Sequence, residues 1–245
     1  MDIRFFDTLE STNNYCKLLD LSSVEEFTVI CARKQTAGIG QQGNVWVSEP
    51  YKNLTFSLIL KPCFLSPIRQ FDLTIALSVA VAETIDALLT GLDTKLTTQI
   101  KWPNDIYVED NKICGILVTN QLSGNSIISS ICGIGLNINQ TDFPDWVPNP
   151  TSLKLLTGKP YAVDDILAQL LRNIQRTYEE LPRPDTTLRS RYMQRLYRRG
   201  LPSSYLYHGA AITATIVDVD PLGHLMLQSY DKKVYSCSMK EIQFL

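Results

Sequence analysis

Lys101-Trp102-Pro103-Asn104-Asp105 and, seven residues after Asp105, Lys112-Ile113-Cys114-Gly115-Ile116-Leu117 place two cations and a carboxylate close together in the chain. Short apolar runs on either side of Asp110-Asn111 predict a tight β-hairpin. Across such a hairpin Lys112 lies near the strand that follows Asp105. A cation that neutralises phosphate and a carboxylate that accepts a proton are what a group-transfer reaction needs. A surface hairpin carrying a salt bridge accounts for the same residue types equally well.

Two glycine-bearing segments add to this. In Gln35-Thr36-Ala37-Gly38-Ile39-Gly40-Gln41-Gln42-Gly43-Asn44-Val45-Trp46 the three glycines let backbone N–H groups face an anion without Cβ obstruction. The same spacing occurs in Rossmann proteins, kinases and ordinary turns, and a Rossmann site wants a helix directly after it. Trp46-Val47-Ser48-Glu49-Pro50 does not open one. In Gly133-Ile134-Gly135-Leu136-Asn137-Ile138-Asn139, glycines in a buried strand mean a bulge or a ligand against the backbone. Asn137 can hydrogen-bond a planar heterocycle such as adenine, although a twisted strand end with polar turn residues accounts better for this segment taken alone.

The elements that hold these residues read as α/β. Ser11-Thr12-Asn13-Asn14 caps a short helix. Phe27 to Ala32, Leu54 to Leu60 and Ile127 to Ile138 are strands, Gln35 to Gly43 is a loop, and Leu73 to Leu89 is a mostly buried helix. Val163, Ile166, Leu167, Leu170, Leu171, Ile174 and Tyr178 form one apolar helical face, which Pro182 and Pro184 end. Arg183, Arg189, Arg191, Arg195, Arg198 and Arg199 then read as a solvated helix face rather than a nucleic-acid stripe. After Gly200 the pattern shortens to alternating segments about a turn at Asp220-Pro221-Leu222-Gly223. These predict a small, docked β-barrel of about 40 residues.

Composition excludes several classes. The 245 residues are 44% hydrophobic and 20% charged with net charge −2, enough for a real core and unlike a sequence-blind DNA binder. No apolar run reaches the roughly 20 residues of a bilayer span, and Met1 to Asp7 carries charges where a signal peptide would be apolar. The six cysteines show no C-x-x-C pairing and the two histidines, His208 and His224, lie late in the chain. A zinc site or a His-dependent triad is therefore not expected, and reduced cytoplasmic thiols are.

In order and spacing, these segments together resemble the biotin–protein ligases. The resemblance runs from Ser11-Thr12-Asn13 through the Gln-Thr-Ala-Gly loop and Trp46, the Lys-Trp-Pro-Asn-Asp motif, Lys-Ile-Cys-Gly-Ile-Leu, Gly-Ile-Gly-Leu-Asn-Ile-Asn and Thr151-Ser152-Leu153 to the C-terminal barrel. It implies an α/β (α+β type) fold: a mixed-sheet catalytic domain over 1–200 with helices on one side, related to class II tRNA synthetases. An SH3-like domain over 201–245 follows. It implies a two-step reaction in which biotin and MgATP give biotinyl-5′-AMP, and a lysine of a biotin carboxyl carrier protein then displaces AMP.

By the same resemblance Lys112, Asp105 and Lys101 carry catalysis. Ser11, Thr12, Asn13, Gln35, Gly38, Ile39, Gly40, Gln41, Lys112, Gly115 and Leu117 hold biotin. Gln41, Gln42, Gly43, Trp46, Asn104 and Asn137 hold the nucleotide, and no side chain is assigned to Mg2+. A lipoate-type ligase and a weakly catalytic biotin or biotinyl-AMP binder are the alternatives. The ligase pattern begins by about residue 8, so the short form without a DNA-binding domain is expected, with neither nucleic-acid nor membrane partner; a homodimer stays open. One departure stands out: the family loop usually reads Gly-Arg-Gly with further arginines, whereas Ile39, Gln41 and Asn44 are neutral. Either Arg33, Lys34 or Lys101 compensates, or the enzyme is slow, leaky or altered.

Overall fold

A computed structural model describes residues 1–91, 96–183 and 185–245. Seven strands form a mixed sheet: β1 (Asp2–Leu9), β2 (Thr28–Gln35), β3 (Leu54–Leu60), β4 (Thr98–Lys101), β5 (Asp105–Val108), β6 (Asn111–Ser123) and β7 (Ser126–Leu136). Their spatial order is β1-β2-β3-β7-β6-β5-β4, with β1 and β2 parallel and every other neighbouring pair antiparallel. β5 and β6 are the expected hairpin about Asp110-Asn111.

Helix α2 (Phe71–Leu89) packs with α4 (Val163–Glu180), which follows the short α3 (Leu153–Thr157), and with α5 (Leu188–Gln194), and their apolar side chains share one core with Val29, Cys31, Phe56 and Leu58 of the sheet. The α4 stripe Ile166, Leu167, Leu170, Leu171, Ile174 and Tyr178 is buried as its 3.6-residue period demands. Each such large side chain contributes about 1.5–3 kcal/mol over an exposed one. α1 (Thr12–Lys17) lies on the other face, where Cys16 meets Ile30, Ile59 and Ile131. This refines the expectation of helices on one side: β3 is buried along its whole length, so both of its faces need cover.

The arginine-rich segment is not a free basic face. Arg189 pairs with Asp218 at 2.9 Å, Arg191 with Glu180 at 2.5 Å and Glu83 at 3.2 Å, and Arg195 with Asp86 at 2.6 Å. α4 ends at Glu180 before Pro182; Pro184, the other expected stop, lies outside the described residues.

β8 (Pro202–Tyr207), β9 (Ala210–Val219), β10 (Leu225–Ser229), β11 (Val234–Cys237) and β12 (Ile242–Phe244) make a second, antiparallel sheet in the order β11-β10-β9-β8-β12. Its Tyr205, Ile216, Val219 and Leu227 join the main core, which is how so short a unit becomes stable. The β9–β10 turn docks directly on the Lys-Trp-Pro-Asn-Asp segment: Trp102 Nε1 donates to Gly223 O at 2.9 Å. Gly223 has φ +91°, and a Cβ there would stand 2.5 Å from the Phe71 ring. All six cysteines are free and five are buried; burial pushes the Cys16 and Cys31 thiols up to about 12.

Candidate functional site

The site lies on the sheet face that α1 covers. Register pairs Gly115 with Gly135 and Leu117 with Gly133 across β6 and β7, while Thr55 and Ser57 of β3 flank one side and Asp105 of β5 the other. The glycines leave the floor bare. A Cβ at Gly133 would come 3.3 Å from Asn13 Nδ2, and one at Gly135 would come 2.3 Å from the Trp46 indole. Trp46 thus packs against strand backbone at Gly115 and Gly135, a packing that any side chain at 135 would prevent.

One cavity, of about 150 Å³, is lined by Ser11, Thr12, Asn13, Gln35, Ile39, Gly40, Gln41, Trp46, Asn104, Asp105, Lys112, Gly115 and Leu117, among others. Its polar end is the start of α1, where Ser11 Oγ caps the helix by accepting from Asn14 N at 3.4 Å. Gln35 Oε1, at the end of β2, accepts from Thr12 N at 2.8 Å and from Thr12 Oγ1 at 3.2 Å, and Ser57 Oγ donates to Thr12 Oγ1 at 2.9 Å. Asn13 is 3% exposed, and neither its Nδ2 nor its Oδ1 has a partner. A buried amide left so costs about 1–3 kcal/mol per group, which a ligand with complementary polar atoms recovers.

The segment after Gln35 is more ordered than a plain loop. Ile39 and Val45 form an antiparallel bridge, Gly40 N donates to Asn44 O at 2.6 Å, Trp46 N donates to Gly38 O at 2.9 Å, and Gln41–Gly43 make a 3-10 turn. Gly38 cannot carry a side chain, because its Cβ would meet Trp46 O at 2.4 Å. Gly38 and Gly43 shape this hairpin rather than lining the cavity, and the Gln42 side chain is outside the description. Arg33 does not replace the missing loop arginines: it holds Asp164 with two hydrogen bonds of 2.6 and 2.9 Å and stacks over Phe5.

Lys112 Nζ and Asp105 Oδ2 are 2.6 Å apart, each side chain about one quarter exposed at 28%. A bulge between Ile106 and Tyr107 sets the Lys112 register, and the following segment pins its backbone: Lys112 N donates to Asn149 O at 2.7 Å and Thr151 N to Lys112 O at 2.9 Å. Asn104 braces β6, its Nδ2 donating to Ile116 O. Lys101 lines neither this cavity nor the next. Its ammonium sits 5.0 Å from the Tyr107 ring and 5.1 Å from the Phe244 ring, and burial holds it below the ordinary lysine range despite Asp105 nearby.

A second cavity, of about 270 Å³, opens beyond Trp46 and is walled by Trp46, Lys112, Asn137, Phe143, Trp146, Val147, Pro148 and Pro150. Asn137 Nδ2 donates to Thr151 O at 3.0 Å, which leaves Asn137 Oδ1 buried and unpartnered, as is Trp46 Nε1. Phe143, Trp146, Val147 and Pro148 were not foreseen from the sequence. The signal was there: two aromatics in a short proline-rich stretch, of which Trp146 is 64% exposed.

The mixed sheet carries two adjoining cavities, one polar-ended and one aromatic, with Lys112 lining both and paired to Asp105. The biotin/lipoate A/B protein ligase family matches residues 5–137, and the chain belongs to it, on its biotin–protein ligase branch. The bifunctional ligase/repressor BirA of Bacillus spizizenii is 30% identical over 247 residues, covering 96% of this chain and 72% of that protein. A biotin–[acetyl-CoA-carboxylase] ligase of Paracoccus denitrificans is 32% identical over 109 residues, covering 44% of this chain and 43% of that one. The biotin protein ligase of Aquifex aeolicus, solved in complex with biotin and ATP, superposes with a TM-score of 0.81 at 23% identity, over 100% of this chain and 98% of that one.

Proposed function

We propose that this chain activates biotin with ATP as biotinyl-5′-AMP and transfers it to a lysine of a biotin carboxyl carrier protein. The observation that carries this reading is the Lys112–Asp105 pair at the point where the two cavities meet. The cavity ending at Asn13 takes the biotin head group: the ureido group offers donors and an acceptor to Asn13, Thr12 and Gln35. Gly115, Leu117 and Trp46 flank its apolar chain. The second cavity takes adenine, between the Trp46 and Trp146 region and Asn137 Oδ1.

In the first step a biotin carboxylate oxygen bonds to the α-phosphorus of ATP, and the bond to the bridging oxygen breaks to release pyrophosphate. Lys112 supplies positive charge where negative charge accumulates, and holding two substrates side by side supplies the rest. In the second step the acceptor amine attacks the acyl carbon and AMP leaves. An amine with a pKa of about 10.4 arrives protonated, so Asp105 accepts its proton once Lys112 has turned to the substrate. Mg2+ enters with the triphosphate, an ion that one or two carboxylates plus phosphates suffice to hold. Lys101 is assigned to packing against the C-terminal sheet.

We divide the chain at residue 200, with 1–200 catalytic and 201–245 SH3-like, and place the enzyme in the cytoplasm, a reading supported by its six free thiols. A homodimer is compatible with this reading and is not needed by it. The test is biotin-dependent exchange of pyrophosphate into ATP, followed by transfer to a carrier domain. Exchange with biotin and none with lipoate is expected. Equal exchange with lipoate, or biotin binding without exchange, would favour the lipoate-type ligase or the non-catalytic binder.

A further inference from the structure

Behind the second cavity lies a pair of buried amides that no step above uses. Asn53, directly before β3, is 4% exposed and Gln140 is 1% exposed. Asn53 Nδ2 donates to Gln140 Oε1 at 2.5 Å and to Ser48 Oγ at 3.2 Å, while Asn53 Oδ1 accepts from Ile138 N at 2.9 Å. Gln140 Oε1 also accepts from Glu49 N at 3.0 Å, and Gln140 Nε2 donates to Asp142 O at 2.7 Å. Alongside, Asn139 N donates to Lys52 O at 2.8 Å.

These bonds join two stretches that lack a strand ladder of their own. Residues 48–53 continue from Trp46, and residues 138–142 run from Asn137 to Phe143. Trp46, Asn137 and Phe143 wall the second cavity, whereas Asn53 and Gln140 line neither cavity. Irregular backbone must satisfy its polar groups through side chains, so the pair fixes where both stretches lie. The first cavity is held differently, by α1, β2 and the β6–β7 ladder, and none of those contacts passes through the pair.

We infer that Asn53 and Gln140 are positioning residues for the nucleotide half of the site: they set the stretch from Asn137 to Phe143 opposite Trp46, whose own place is fixed by the hairpin bond to Gly38 O and by the bare backbone at Gly135, so the biotin half keeps its geometry. This rests on the function proposed above. The side chains demand an unusual match, since one oxygen of Gln140 serves donors from both the Glu49 backbone and the Asn53 amide. A methionine of similar length at 140 removes that acceptor. A glutamate keeps an oxygen there for both donors and gives up only the Nε2 bond to Asp142 O.

The experiment measures KM for ATP and for biotin separately in pyrophosphate exchange, with melting temperature alongside, for the full chain and for Gln140→Met and Gln140→Glu. KM for ATP should rise about tenfold in Gln140→Met while KM for biotin stays within about twofold, and Gln140→Glu, which keeps the acceptor but loses the donor to Asp142 O, should restore part of the ATP affinity. Should Gln140→Met not fold, Asn53→Asp sets a carboxylate against Gln140 Oε1, keeps the bond to Ile138 N, and should show the same split. A parallel rise in both KM values, or a lower melting temperature with KM for ATP unchanged, overturns the inference. Absence of exchange in the native chain overturns the ligase reading itself, and this inference with it.

Discussion

The two cavities that meet at Trp46 and Lys112 are built in opposite ways. The one ending at Asn13 is framed by secondary structure: a capped helix start, the end of β2 and glycines in register on β6 and β7. The one beyond Trp46 is framed by loop, with Phe143, Trp146, Val147 and Pro148 held by side-chain amides and a few backbone bonds. Ladders and helix ends fix geometry with many bonds at once, so the first half is suited to a ligand recognised by directional polar contacts. Loops with aromatic faces suit a flat ring that stacks and tolerates small shifts.

The comparison breaks first at the shared residue. Lys112→Ala should lower the rate of adenylate formation at least about 100-fold in single-turnover measurements, because it removes charge from the transition state served by both halves. Near-normal adenylate formation would mean that the junction is not where the chemistry happens. A smaller effect of opposite sign is expected in the hairpin between the halves. With Arg33 engaged by Asp164, Ile39→Arg adds a charged donor facing the bound anion, and biotinyl-AMP should dissociate about ten- to a hundredfold more slowly. An unchanged release rate would show that residue 39 faces away from the ligand.

The halves themselves are separated by a pair of substitutions. Asn13→Leu should raise KM for biotin about tenfold and leave KM for ATP within about twofold; Trp146→Ala should do the reverse, with an effect of about tenfold or less because Trp146 is largely exposed. If either variant moves both constants equally, the division into two halves is wrong.

The smallest effect lies outside both. Lys101→Met should change adenylate formation by no more than about twofold. Burial lowers the folded-state pKa of Lys101, so between that value and the ordinary value of about 10.4 the unfolded chain binds more protons, and this group's contribution to stability rises with pH. Urea unfolding across that alkaline window should show the rise in the native chain and less of it in Lys101→Met.

How legible each part was follows the same division. The floor and polar end were readable in part, since Gly133 and Gly135 in a strand pattern announce a bulge or a close approach, and Ser11-Thr12-Asn13 announces a helix cap. The hairpin about Asp110-Asn111 and the α4 stripe were readable because local period and turn chemistry decide them. β1 and β4 were not singled out, being edge strands whose pairing is settled by partners distant in sequence or by a short hairpin arm.

The sequence by itself determined the chemical inventory: a lysine and a carboxylate seven residues apart, glycines where a floor must be bare, neutral residues where the loop could have carried arginines. Only the tertiary structure decided how that inventory is divided. It set Lys112 against Asp105 through a bulge, packed Lys101 between Tyr107 and Phe244, and committed Arg33 to Asp164. It also brought Trp146 and Phe143 across from Trp46. Residue type and spacing are properties of a short stretch of chain, whereas the partner of Arg33 and the far wall of the second cavity come from segments distant in sequence, joined only when the core and its amide bonds close.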